Sequence, residues 1–247
     1  MLLHAVGLSR LLGAGLRVLH VGGEDTEALR AQVQAECERA APYEAIIDPE
    51  SITIATGRVS EVIQREALRC HATLIVVGSR SHGGLTRLLL GSTSEALLGL
   101  ARTPVLLVPP TDFDIVSLRD RTALTCGPIL AAVDLGEGSE HQLRIASELA
   151  KMGSQSLLLM TVALSKVSDH DAAHELRERA HGLEPLKPTA MIVRRGDVAE
   201  EISRCAVTEG AGLVVMGLRE RPRGRPGVIA SAVLRTERAF VLAVPSA

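Results

Sequence analysis

The clearest chemistry in the chain lies between Gly78 and Ser94. The run reads Gly78-Ser79-Arg80-Ser81-His82-Gly83-Gly84-Leu85-Thr86-Arg87-Leu88-Leu89-Leu90-Gly91-Ser92-Thr93-Ser94. It leaves a short apolar stretch, Leu74-Ile75-Val76-Val77, and opens a segment with a helical pattern. In open α/β sheets, ligands bind at that carboxyl edge. Gly91 has no Cβ, so backbone there can approach a phosphate closely, and the free N–H groups of a first helical turn would point at it. Ser92 and Thr93 add hydroxyl donors. A tight strand-to-helix turn with a serine cap is the plainer reading of the same residues. The turn chemistry alone leaves both open.

Other constellations fall short. No Gly-x4-Gly-Lys-[Ser/Thr] occurs, which excludes a P-loop NTPase. Gly13-Ala14-Gly15 lacks the third glycine of a dinucleotide fingerprint and precedes a strand rather than a helix. His170 and His174 stand four apart beside Asp169 and Asp171, a spacing that suits zinc, but no third strong ligand follows at motif spacing. No Gly-x-Ser-x-Gly elbow or Ser-His-Asp arrangement stands out. His82 reads as a surface residue of the loop.

Composition narrows the classes further. The formal charge of the 247 residues is −2, which gives no global pull toward nucleic acid. Tyr43, Phe113 and Phe240 are the only large aromatics, so base stacking on an aromatic platform is excluded as a main binding mode. The 46% of apolar residues must build aliphatic cores. Cys37, Cys70, Cys126 and Cys205 form no CxxC and read as free, buried thiols in a reducing compartment. No apolar stretch reaches membrane-spanning length and no secretion signal is evident, so the expected location is the cytoplasm.

The elements that must hold the loop occur twice. Gly57-Arg58-Val59-Ser60-Glu61-Val62-Ile63 reads against Gly196-Asp197-Val198-Ala199-Glu200-Glu201-Ile202, 139 positions on, and Leu74 to Gly78 reads against Leu213 to Gly217 at the same offset. Val105-Leu106-Leu107-Val108-Pro109 matches Val241-Leu242-Ala243-Val244-Pro245. Two copies of one domain follow: residues 1–110, a linker at 111–127 with an exposed, polar character, and residues 128–247. In the second copy short apolar runs alternate with helical patterns, in the order βαβαβαβαβ, which predicts a parallel sheet with helices on both faces. Gly153 reads as the stop of its first helix.

The first copy starts late. Aligning Gly13 with Gly153 puts Leu2 to Leu12 on the first helix and leaves nothing upstream for the first strand. A second alignment makes Leu3 to Leu8 that strand and deletes the helix. The first keeps the helix-to-strand spacing and is preferred. Under either, the first copy has no counterpart of Asp134.

The loop resembles that of the universal stress protein family. Nucleotide-binding members carry Gly-x2-Gly-x9-Gly-[Ser/Thr] after the fourth strand. Gly78 takes the first position, Ser81 stands where the second glycine should be, and Gly91-Ser92 closes the motif. Pro104 to Pro109 looks like the family too. The resemblance implies a chain of two tandem open parallel sheets, each flanked by helices, paired as a pseudo-dimer through their last strands, Val105 to Val108 and Phe240 to Val244. Both are edge strands that must be covered or paired. It implies a nucleotide site in repeat one at Val21, Val77, Gly78, Ser81, Gly91, Ser92, Thr93 and Ser94. A weaker one is implied in repeat two at Ala132, Val133, Asp134, Val162, Met216, Gly217 and Ser231. Val21 and Val162 would pack on adenine and Asp134 would hold the ribose. Glu220 and Ala230-Ser231 replace the loop in repeat two, where Arg219, Arg221, Arg223 and Arg225 could offset the acid.

Each repeat thus holds half of a site. The resemblance implies ATP or another adenine nucleotide, with magnesium as a further option, at most slow hydrolysis, and a regulatory role in stress. Homodimerisation is a further option; nucleic acid and membrane partners are not expected. The alternative is a scaffold protein with decayed sites that acts through its surface. Repeat one, without its first strand, is expected to be the less stable half.

Overall fold

The computed structural model describes residues 1–23, 26–40, 48–79, 90–110, 114–117, 124–136, 138–163, 165–181, 183, 188–218, 226–236 and 238–246. Repeat one contributes α1 (Leu2–Leu12), β1 (Val18–Val21), α2 (Glu27–Ala40), β2 (Ile52–Ala55), α3 (Val59–Arg69), β3 (Ile75–Gly78), α4 (Ser92–Leu100) and β4 (Val105–Val108). Repeat two contributes β5 (Ile129–Ala132), α5 (Glu140–Met152), β6 (Leu157–Val162), α6 (Asp169–His181), β7 (Ala190–Arg194), α7 (Val198–Thr208), β8 (Leu213–Leu218), α8 (Pro226–Leu234) and β9 (Phe240–Pro245).

Repeat two forms a complete sheet of order β7-β6-β5-β8-β9, parallel throughout. Its central strands are aliphatic on both faces and buried, as a doubly covered parallel sheet requires. In repeat one α1 is a helix, which settles the choice of alignment: Leu3 to Leu8 is not a strand. Gly13 ends α1 in the left-handed conformation, φ 60°, with the N–H of Ala14 donating back to Ser9. The central strand is missing, and the sheet is split there. β1 and β2 form a separate two-stranded sheet, while β3 and β4 extend the sheet of repeat two.

The two repeats share register. Val21 lies opposite Ala55 as Val162 lies opposite Arg194, and Ile75 lies opposite Val105 as Val214 lies opposite Val241. β4 and β9 then pair antiparallel, Val105 with Ala243, Leu106 with Leu242 and Leu107 with Val241. The parallel strands of repeat two and the β3-β4 pair therefore make one seven-stranded sheet around that seam.

The segment between the repeats differs from the exposed linker its polarity suggested. Ile115, Val116, Leu124 and Cys126 are buried in the main core, and Val116 bridges Leu124. Leu124 explains Gly153. A Cβ at Gly153 would lie 2.6 Å from the Leu124 side chain. Gly153 itself has φ −89°, and the left-handed residue after α5 is Ser154, φ 51°. α5 ends at Met152 with Gly153 as its C-cap, as the sequence predicts, and it is the close packing of the returning segment rather than a left-handed φ that requires the glycine.

Candidate nucleotide site

In repeat one the structure brings Gly78 and the start of α4 together. Gly78 closes β3, and Ser94, buried in the first turn of α4, donates to the Gly78 carbonyl at 3.5 Å. Gly91 precedes the helix in extended conformation, φ −60° and ψ 147°, and has no side chain to cap the first-turn N–H groups. Ser92 and Thr93 are exposed. The helix end thus presents backbone donors and two hydroxyls at the carboxyl edge of β3, with the positive end of the helix dipole behind them. Val77 precedes Gly78 on β3 and is half-buried. Ser81 lies outside the described residues.

Val21 is placed apart from this group. It ends β1, in the two-stranded sheet, on the far side of the missing strand. Met1 stands at the near side, its Sδ 3.6 Å from where a Cβ of Gly78 would lie.

In repeat two Ala132, Val133, Asp134, Val162, Met216 and Gly217 lie at or just beyond the ends of β5, β6 and β8, and Ser231 lies within α8. Ala132 and Val162 are half-buried, Val133, Met216 and Ser231 are buried, and Asp134 and Gly217 are exposed. Asp134 Oδ1 accepts the Gly136 N–H at 3.1 Å, an Asx turn that shapes the loop. Glu220 and the four arginines of residues 219–225 lie outside the described residues.

Gln142, which the sequence reading missed, occupies the centre of this crevice. It is buried in the first turn of α5, and its Nε2 donates to the carbonyls of Ala132 at 2.8 Å and Val215 at 2.9 Å. Its Oε1 lies 2.9 Å from where a Cβ of Gly217 would lie. The point between β5 and β8 is where strand order reverses, the usual ligand crevice of such sheets. There Gln142 satisfies the strand-end carbonyls itself. A glutamine facing two strand ends across a helix turn has no sequence signature.

Arg179 of α6 fixes the loop above. It donates to the Leu135 carbonyl at 2.9 Å and to the Ser139 hydroxyl, and it pairs with Glu175 at 3.0 Å. Arg195 similarly ties the start of α6 through Asp169 at 2.8 Å and the Val167 carbonyl at 2.6 Å. The loop that follows Asp134 is braced from α6. Among the described residues no group of three or more His, Cys, Asp or Glu side chains could hold a metal ion.

The comparisons with known proteins agree with this architecture. The family model described as universal stress protein family matches residues 1–109. That part of the chain is similar to a universal stress protein domain. Universal stress proteins of Mycobacterium tuberculosis and Mycobacterium bovis are 32% identical over 95 residues. The match covers 37% of this chain and only 31% of those relatives, so the chain aligns with less than a third of their length. A putative universal stress protein from Pseudomonas aeruginosa superposes with a TM-score of 0.66 at 22% identity, over 99% of this chain and 87% of that one. A universal stress protein from Archaeoglobus fulgidus gives 0.66 at 20% identity, over 99% and 93%. The universal stress fold therefore extends through both halves. No helix among the described residues is long and apolar enough to cross a membrane.

Proposed function

We propose that this chain is a regulatory protein of the stress response that binds an adenine nucleotide, free or as its magnesium complex, through repeat one. The phosphates sit at the N-terminus of α4, against the backbone of Gly91 and the hydroxyls of Ser92 and Thr93. The observation that carries the reading is the Ser94 bond to the Gly78 carbonyl, which holds an uncapped helix start at the carboxyl edge of β3. Repeat one spans residues 1–110 in this reading and repeat two residues 128–247, and the role is binding rather than turnover.

The test is chromatography of small molecules released when the purified protein is denatured, with calorimetry of ATP binding. Gly91→Val places a side chain where phosphate would meet backbone and should weaken ATP binding at least tenfold. Equal affinity in the variant, or no ATP binding by the native protein, overturns the assignment.

A second reading, a scaffold with decayed sites, is favoured by one observation. Gln142 spans the strand ends in repeat two and leaves their carbonyls already bonded. A protein that releases no nucleotide and gives no heat with ATP would be read this way.

A further inference from the structure

Repeat two reaches the repeat-one site through one side chain. The two copies start their last helix at different places. α4 begins at Ser92, whose counterpart 139 positions on is Ser231, but α8 begins at Pro226, five positions earlier. The extra turn puts Ser231 inside the helix, where its N–H belongs to the ladder of α8 instead of standing free at a helix start. The extra turn also meets α4. A Cβ at Gly227 would lie 3.0 Å from Glu95 Cγ and 3.4 Å from its Cδ and Oε1. Gly227 is buried, and its missing side chain leaves the room that Glu95 takes.

Glu95 has two helix starts within reach. It lies in the first turn of α4, and helical side chains lean toward the N-terminus of their own helix, so the start of α4 is one. No side chain caps that start, and its dipole attracts a carboxylate. It is also where the phosphates sit in the nucleotide reading. The other is the start of α8, whose first turn has no acidic residue of its own. The Glu95 carboxylate lies at the second, against Gly227. At its own helix start the same charge would compete with phosphate for the free N–H groups and repel it.

We propose that Glu95 is a positioning residue of the repeat-one site and that repeat two holds it in place. The proposal rests on the nucleotide reading. The dipole of α8 and the space at Gly227 keep the carboxylate across the seam, so the donors of Ser92, Thr93 and Ser94 are left to the phosphates. The site then belongs to both repeats: one supplies the donors, the other the seat for the acid. The coupling is reciprocal. Phosphate bound at α4 repels Glu95 toward α8, so occupancy of repeat one tightens the start of α8.

The test is a double-mutant cycle on the full chain, read by calorimetry of ATP binding. Gly227→Ala sets a methyl group against Glu95 and turns the carboxylate back to α4, which should weaken ATP binding at least threefold. Glu95→Gln alone removes a charge already held off the site and should change the affinity less than twofold. Adding Glu95→Gln to Gly227→Ala should return the affinity to within twofold of native. Circular dichroism checks that each variant folds. Unchanged affinity in Gly227→Ala, or a loss that Glu95→Gln does not restore, overturns the proposal. Amide exchange without nucleotide tests the contact by itself. Glu95→Gln should speed exchange in 226–234 and leave 198–208 unaltered; an unchanged rate in 226–234 also overturns the proposal. A native protein that binds no ATP would sink the nucleotide reading, and the exchange measurement would still decide whether α8 holds Glu95.

Discussion

Leu106 and Leu242 are the same position of the two repeats, and they face each other across the antiparallel seam between β4 and β9. The local twofold axis passes between them. Both are buried, at 2% and 4% exposure, and each belongs to a strand whose other neighbour is parallel. The seam is therefore core, and the β3-β4 pair depends on repeat two for one of its edges.

Leu106→Ala should destabilise the chain by about 2–5 kcal/mol, the range for leucine truncation in a close-packed core. Urea denaturation checks it. Because the sheet is continuous across the seam, the loss should appear in the main transition of repeat two. A variant whose main transition is unmoved would show the halves to be energetically separate.

Helix α3 lacks a cap that its counterpart has. Asp197 caps α7, its Oδ1 accepting the N–H groups of Ala199 and Glu200 at 3.0 Å each. The equivalent residue in repeat one is Arg58, which makes no cap and only an exposed ion pair with Glu61 at 3.2 Å. Such pairs contribute little. Arg58→Asp should stabilise the chain by about 1 kcal/mol, measured as a raised denaturation midpoint. A lowered midpoint counts against this account of the two helix starts.

The two-stranded sheet should be the weakest part of the fold. β1 and β2 have one strand neighbour each at most, whereas β6 is paired on both sides and buried. Regions with fewer buried contacts open at lower free energy. Hydrogen exchange resolved by peptide should therefore run faster in 18–21 and 52–55 than in 157–162. The reverse order would mean that the split is repaired by the rest of repeat one.

His4 should make the chain sensitive to mild acid. It is buried in α1, its Nδ1 accepts the Ile115 N–H at 3.4 Å, and its ring meets Phe240 edge-on at 5.2 Å. Burial pushes its pKa below the ordinary 6.5, the Met1 ammonium adds to that, and Asp114 opposes both. The unfolded chain thus takes up this proton at higher pH than the folded one does. His4 contributes its full stability above pH 6.5 and loses it as pH falls from there through the folded pKa. Melting temperatures between pH 7.5 and 5 should fall more steeply in the native protein than in His4→Gln. Parallel slopes would remove His4 from the account.

Much of the fold was legible because the chain repeats. Helix α1 and strand β4 have the bounds the pattern predicts, since apolar runs bounded by glycine and cap residues are local signals. The seam was legible because two bare edge strands need partners. The buried return of Ile115, Val116, Leu124 and Cys126 was not, because four apolar residues among prolines and charges carry no period. In the candidate site, the places of Gly78 at the end of β3 and of Gly91 before α4 could be read from the sequence. Gln142 could not, because its role depends on where α5 crosses the ends of β5 and β8. The separation of Val21 from Gly78 follows from the absent strand but becomes visible only once the sheet is seen to divide there.

The seam also records what joining two copies in one polypeptide allows. In a dimer of identical chains, one codon sets both members of every contact related by the axis. Here Leu107 and Ala243 are equivalent residues, yet Leu107 faces Val241 while Val105 faces Ala243. One side of the axis carries a large pair and the other a small pair, an arrangement that identical subunits are barred from adopting. Fusion has released this interface from symmetry, and each of its contacts is now free to mutate on its own.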